Sequence, residues 1–362
     1  MKVTSEAAFL TLSCRDSSLA SDRTLTEHAR SVSDWDRAVS ISASHCILPQ
    51  VMRVVSGLMG TGIVPEGVVS RLRDLTHTDV ALQARLRIAL KEMLPVIREN
   101  GAEVIVLKGP AIAQLLYETP GERTYKDLDL LCREEDYGKV WEALTSLGYR
   151  TTAGPTLPAR KAEQETHFER KFHHPDGLAR VDVHPDVMKL GVRPRHADDL
   201  WKRAVPTMLE GEPTWALSPE DQLLTLCVHL HRHGFIRLIW FKDIDLLLRR
   251  YGDDLDWGTI RADAKAEGSE SSLWYTLMLT RKLLGTPLAP EIEKSFRPNP
   301  LIRLAYHLIW PESDAMNLRS VTRRRAVQFS VTESWRGMLP SLLLMGRKRE
   351  KIEIILRRVR PF

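Results

Sequence analysis

Val104-Ile-Val-Leu-Lys-Gly-Pro110 and, after a turn, Arg123-Thr-Tyr-Lys-Asp-Leu-Asp-Leu-Leu131 decide how the rest of this chain is read. The apolar, β-branched run from Val104 to Leu107 predicts a short buried strand that stops at Lys108-Gly109, where Pro110 opens a helix through Ala111 and Leu115. A strand, a glycine and a helix N-terminus together make an anion site, because free backbone N–H groups and the helix dipole point at the turn. In the second piece Asp127 and Asp129 stand two apart among Leu128, Leu130 and Leu131. On a strand, residues two apart share a face, so both carboxylates project to one side. Two carboxylates on one face suit Mg²⁺, which takes one or two carboxylates together with substrate phosphate oxygens.

Working outward, residues 78–100 predict a helix, with Leu82, Leu86, Leu90, Met93, Leu94 and Ile97 on one stripe and Asn100-Gly101 as its stop. Before it, Trp35, Val39, Ile47, Leu48, Met52, Val55 and Leu58 recur at helical intervals until Gly60-Thr-Gly62 and Pro65 break the pattern. Residues 1–32 are rich in Ser, Thr and charge and are expected to form a loosely ordered lead-in. On the other side, Asp136 to Leu147 reads as a helix closed by Gly148. The runs His167 to His174 and Leu178 to His184 read as a hairpin about Pro175-Asp-Gly177. In the second run Val181 and Val183 face one way, and Arg180, Asp182 and His184 the other. Asp182 is therefore a third candidate carboxylate.

Ser218-Pro-Glu-Asp221 is a helix start, with Ser as cap, Pro at the first position and acids in the first turn. That helix carries His229, His231 and His233, of which only His229 and His233 share a face, so a packed role for His229 is expected over a metal cluster. The following helix, with Trp240, Ile244, Leu247, Leu248 and Tyr251 on a stripe, repeats the paired spacing as Asp243-Ile-Asp245. Two apart on a helix, these aspartates diverge and read as structural. Further helices are expected over 273–284, 301–310 and 339–358.

Composition is that of a globular chain, 43% hydrophobic and 27% charged over 362 residues. Four scattered cysteines, Cys14, Cys46, Cys132 and Cys227, argue against a disulfide framework or zinc site and for a reducing, cytoplasmic setting. No apolar run reaches the roughly 20 residues that a membrane span needs. Between Arg319 and Arg360 twelve Lys or Arg stand against three Glu, so the formal excess of +5 is carried by this tail. It offers a surface for an acidic peptide or RNA, with few aromatics for base stacking.

Leu107-Lys-Gly109, Tyr117, Arg123, Asp127-Leu-Asp-Leu-Leu131, Leu147-Gly-Tyr149, Val181-Asp-Val-His184 and Leu217-Ser-Pro-Glu-Asp221 through His229 to Trp240 and Asp243 resemble an uncharacterised bacterial branch of the nucleotidyltransferase superfamily that includes polymerase β. The resemblance covers roughly residues 35 to 250. It implies an α+β fold: a small mixed sheet at 101–205, a helical subdomain at 33–100 before it, and a helical region with the basic tail at 206–362. It also implies Mg²⁺ or Mn²⁺ held by Asp127, Asp129 and Asp182, with an NTP such as ATP as substrate. From the residues themselves, Lys108, Gly109 and Arg123 are expected to answer the phosphates, and His184, on the same strand face as Asp182, either to touch substrate or to pack structurally. The expected reaction moves a nucleoside monophosphate to a hydroxyl or phosphate of an acceptor such as a natural product, peptide, protein or tRNA. One position departs: Gly109-Pro110 stands where the superfamily carries Gly-Ser or Gly-Gly, and proline removes an N–H donor from the phosphate turn. The alternative is a nucleotide-binding or interaction protein that keeps the fold without the catalysis; a hydrolase using the helical histidines is a third reading.

Overall fold

The computed structural model describes residues 3–16, 21–152, 154–156, 170–177, 179–185, 197–300 and 302–303. Among these, the chain opens with α1 (Ser5–Ser13), α2 (Asp22–Ser31), α3 (Trp35–Ser44), α4 (Leu48–Gly57) and α5 (Glu66–Glu99). The middle of the chain runs β1 (Ile105–Leu107), α6 (Gly109–Leu116), β2 (Leu128–Leu131), α7 (Tyr137–Ser146), β3 (Arg170–His173), β4 (Arg180–His184), α8 (Ala197–Trp201), β5 (Val205–Leu209) and β6 (Glu212–Ala216). Then come α9 (Pro219–Arg232), α10 (Leu238–Tyr251), α11 (Trp257–Glu267), α12 (Glu270–Leu284) and α13 (Pro290–Ser295). The fold is α+β, a six-stranded mixed sheet with helical flanks.

The sheet order is β3-β4-β2-β1-β6-β5. β1 and β2 are antiparallel, with Leu107 opposite Asp129, whereas β2 and β4 are parallel, with Asp129 opposite Asp182. The alternation read from the sequence holds: Leu128, Leu130, Val181 and Val183 enter a core with the buried stripe of α5 and with Val140 and Leu144 of α7. Asp129 and Asp182 are thereby turned to the opposite face. The Pro175-Asp-Gly177 turn closes as expected, the Gly177 N–H donating to the His174 carbonyl at 2.9 Å.

Several expectations are corrected. Residues 1–32 are not a loose lead-in over their described part, because α1 and α2 lie there and bury Phe9, Leu10 and Ala29. The Ser and Thr content that suggested disorder supplies helix caps: Thr4 accepts from the Ala7 N–H and Ser21 from the Thr24 N–H. Buried Glu6 accepts from the Ser33 and Asp34 N–H groups and ties α1 to the start of α3. The helix expected from Thr78 begins at Glu66. Val68, Val69, Leu72 and Leu75 of its first turns recur at helical spacing and pack on the helical core, a signal that the expected start at Thr78 leaves out. The sheet does not end near residue 205. The β5–β6 hairpin, turned at Glu210 (φ +53°) and Gly211 (φ +85°), adds two strands through parallel pairing of β6 with β1. This Glu-Gly turn lacks the Asn-Gly signature of a two-residue hairpin loop. The expected helices over 301–310 and 339–358 and the basic tail fall outside the described residues, save Ile302 and Arg303.

α1, α3 and α4 share one apolar core with α9, α10 and α12, through residues such as Phe9, Ile47, Val51, Leu226, Phe241 and Leu277. The two helical flanks thus share one core. This matters for the site, because α3, α4 and α5 hold the loop that carries Arg123 to Asp127. Gln50 donates to the Glu122 carbonyl at 2.7 Å, Thr124 to the Cys46 carbonyl at 3.4 Å, and Gln83 to the Tyr125 carbonyl at 2.6 Å.

Candidate active site

After β1 comes Lys108, whose φ of +51° is a conformation that costs an L-residue about 1–3 kcal/mol. This bend starts α6 at Gly109. A Cβ added to Gly109 would lie 2.6 Å from the Tyr125 Cβ, so only glycine lets the loop that carries Tyr125 pack against the helix start. The predicted strand–glycine–helix turn is present, with Pro110 in the first turn of α6.

Asp127, Asp129 and Asp182 line one cleft of about 410 Å³ together with Lys108, Gly109 and His184. Asp129 is held on both sides: Lys108 Nζ lies 3.3 Å from Oδ2 and His184 Nε2 2.8 Å from Oδ1. Burial alone would raise its carboxyl, but the Lys108 ammonium and the His184 contact outweigh it and hold Asp129 below the ordinary carboxylate range. Asp127, just before β2, pairs with Arg180. Asp182 is buried, and its Oδ1 accepts no hydrogen bond among the described residues; Arg180 Nε stands 3.6 Å away.

Arg123, expected beside the phosphates, also lines the cleft, with its guanidinium held by Asp243. Its Nε lies 2.7 Å from Asp243 Oδ1 and its Nη2 2.7 Å from Oδ2, and Nη1 donates to the Thr124 carbonyl. Tyr117 donates to the same Asp243 at 2.7 Å. Asp243 is fully buried, so this pair joins α10 to the loop of the carboxylates. The expectation that Asp243-Ile-Asp245 is structural agrees with these contacts: Asp245 turns elsewhere, accepting from Arg249 at 3.0 Å and Thr286 at 2.7 Å.

Sequence reasoning missed the wall facing the strands. Thr225, Val228, His229, Arg232 and His233 on and just beyond α9 and Arg237 and Trp240 at the start of α10 line the same cleft, as do Lys126 and Lys171. The spacing 225, 228, 229, 232 and 233 is one helix face, and that periodicity was the available signal. His231, between them, is in the core, stacked on Phe235 at 5.0 Å, and burial pushes its imidazole down to about 3. The cleft carries seven Lys or Arg against three Asp, a balance suited to a polyanion.

Whether the carboxylates fit a divalent ion is a question of placement and donor chemistry. As the side chains stand, no group of three or more His, Cys, Asp or Glu among the described residues is arranged to hold a metal ion. Lys108 and Arg180 occupy two of the three carboxylates. Yet oxygen donors are what Mg²⁺ and Mn²⁺ take, Asp129 and Asp182 are register partners, and the Asp182 Oδ1 is a buried acceptor with no hydrogen bond to satisfy it. The set fits. Among the described residues no helix is long and apolar enough to cross a membrane.

A family model described as an uncharacterised nucleotidyltransferase matches residues 31–285. That span holds the whole cleft, from the α3–α5 support to the α9–α10 wall. No curated protein matches the chain.

Proposed function

The chain belongs to this family of uncharacterised nucleotidyltransferases, and from that membership we propose that it moves a nucleoside monophosphate from an NTP to a hydroxyl or phosphate of an acceptor, releasing pyrophosphate, with Mg²⁺ or Mn²⁺. Placement within the polymerase-β-like superfamily is part of the proposal. The observation that carries it is the face-to-face register of Asp129 and Asp182 on β2 and β4, in a cleft that also holds Asp127 and a surplus of cations.

In this reading Asp127, Asp129 and Asp182 hold the divalent ions, which when bound supply Lewis-acid stabilisation of the phosphoryl oxygens. The acceptor oxygen attacks the α-phosphorus; the bond to the bridging oxygen of the β-phosphate breaks, and pyrophosphate leaves with the electron pair. Asp182, with Oδ1 open, takes the proton that a hydroxyl acceptor gives up. Lys108 and the start of α6 face the phosphates, and Pro110 leaves that turn one N–H poorer, so side-chain cations carry more of the charge compensation. His184 holds and orients Asp129. Arg123 keeps the carboxylate loop in place through Asp243. The acceptor is one of the classes set out above, and the basic tail is a candidate surface for an acidic peptide or RNA.

The test is transfer of label from α-labelled NTPs with Mg²⁺ or Mn²⁺ to acceptors from extracts, with pyrophosphate release measured in parallel. Metal-dependent release that Asp182→Asn abolishes supports the reading. A folded protein that releases none with any NTP, yet is thermally stabilised by nucleotide, favours the second reading: a binding protein whose Lys108 and Arg180 stay on their carboxylates.

A further inference from the structure

The wall opposite the carboxylates has no part in the reaction as described, yet it is built stiffly. At the corner between α9 and α10, Gly234 (φ +68°) and Phe235 (φ +56°) both take left-handed backbone. The Phe235 N–H donates to the Leu230 carbonyl at 3.0 Å and the Gly234 N–H to the His231 carbonyl at 2.8 Å. From outside, His45 fixes the first turn of α10: the Leu238 N–H donates to its Nδ1 at 3.1 Å and the Ile239 N–H to its carbonyl at 3.3 Å. Between these anchors Arg237 lies over the Trp240 ring, 4.9 Å from its centroid. Stacking fixes the guanidinium plane and leaves its N–H edge for a planar or tetrahedral anion. No ion pair of Arg237 with a carboxylate is found among the described residues.

The half-buried His229 reports what surrounds it. Burial first, then Lys108, His233, Arg232 and Arg237, push its imidazole well below the ordinary value. It is therefore neutral at pH 7, and three cations of permanent charge stand around it. Arg232 is itself partly desolvated, with burial lowering its guanidinium against the attraction of Asp129. Cations gathered in a partly dry wall repel one another, and burial costs Arg232 part of its hydration. A ligand carrying several negative charges relieves both costs, and arginine suits phosphate through paired N–H donors.

We propose that Lys108, Arg232 and Arg237 form a clamp around His229 for the β- and γ-phosphates of the nucleotide and for the pyrophosphate that leaves. The clamp takes the place expected of Arg123, whose guanidinium is engaged by Asp243. The identity of the ligand rests on the nucleotidyltransferase reading; the site rests on the α9–α10 corner and on Lys108 across the cleft from it.

The experiment is calorimetric titration of the full chain with inorganic pyrophosphate in chelator, so that no metal bridges the two. Arg237→Gln and Arg232→Gln each weaken pyrophosphate binding about tenfold, whereas the exposed-surface control Lys91→Gln changes it less than twofold. Arg237→Lys, which keeps the charge but not the stacked plane, falls between. The His229 imidazole, followed by NMR titration, moves up on adding pyrophosphate to the wild type, and moves up without ligand in Arg237→Gln. Pyrophosphate binding within twofold of wild type in both glutamine variants, with circular dichroism unchanged, overturns the clamp. So does a His229 titration indifferent to pyrophosphate. Transfer activity discriminates the two proposals: loss of pyrophosphate binding in the variants of a chain that never transfers a nucleotide keeps the clamp and removes the nucleotidyl reading. Active transfer with unaltered pyrophosphate binding in both variants does the reverse.

Discussion

Asp127-Leu-Asp129 and Asp243-Ile-Asp245 have the same spacing and near-identical neighbours, yet they do opposite work. The first pair sits at and before a strand, so both carboxylates reach one cleft. The second sits on a helix, where a step of two residues turns the side chain by about 200°, so one aspartate meets Arg123 and the other Arg249 and Thr286. Burial differs as well: Asp243 and Asp245 are sealed in the core, while Asp127 keeps part of its surface open. A repeated motif thus carries chemistry only where the backbone aims both groups at space that a ligand can enter.

The largest effect expected from breaking this contrast is at Asp243. Asp243→Ala leaves Arg123 buried without its counter-charge and removes the acceptor of Tyr117, which costs about 3–5 kcal/mol of stability. Urea unfolding monitored by circular dichroism reads this directly; a loss under about 1 kcal/mol would show that the pair is not the joint described here.

Next in size is the converse at Asp127. Under the proposed function Asp127→Asn lowers nucleotidyl transfer on the order of 10²–10³-fold, yet stability stays within about 1 kcal/mol because its pair with Arg180 is partly solvated. Equal losses of activity and stability would erase the difference between the two motifs.

The smallest is a pH effect at Asp129. Its folded carboxyl lies below the ordinary value, so ionisation stabilises the fold above about pH 3.9, the usual unfolded value. That contribution is lost as pH falls through the lowered folded value. The stability gap between wild type and Asp129→Asn therefore narrows between pH 6 and pH 3 in urea titrations. A gap that widens on acidification contradicts the Lys108 and His184 contacts as its cause.

Much of the site was legible in one dimension. The Asp129 and Asp182 faces follow from period-two alternation about Leu128, Leu130, Val181 and Val183, and the α6 turn follows from Gly109 and Pro110. What escaped was local structure with weak local signals: α1 and α2, whose caps resembled disorder, and the β5–β6 hairpin with its Glu-Gly turn. Arg123 was legible as a residue near the site but not by its partner, because Asp243 lies 120 positions away in sequence.

By itself, then, the sequence determined which face of each strand and helix is apolar, and therefore where three carboxylates point, because side-chain direction is set by backbone period over a few residues. Only the tertiary structure decided which cations meet them. It placed Lys108 on Asp129, set Arg123 on Asp243, and brought Arg232 and Arg237 over the cleft. Those pairings depend on how α9 and α10 dock on the sheet and the N-terminal helices, and docking is a balance of burial and desolvation summed over distant residues that no local pattern encodes.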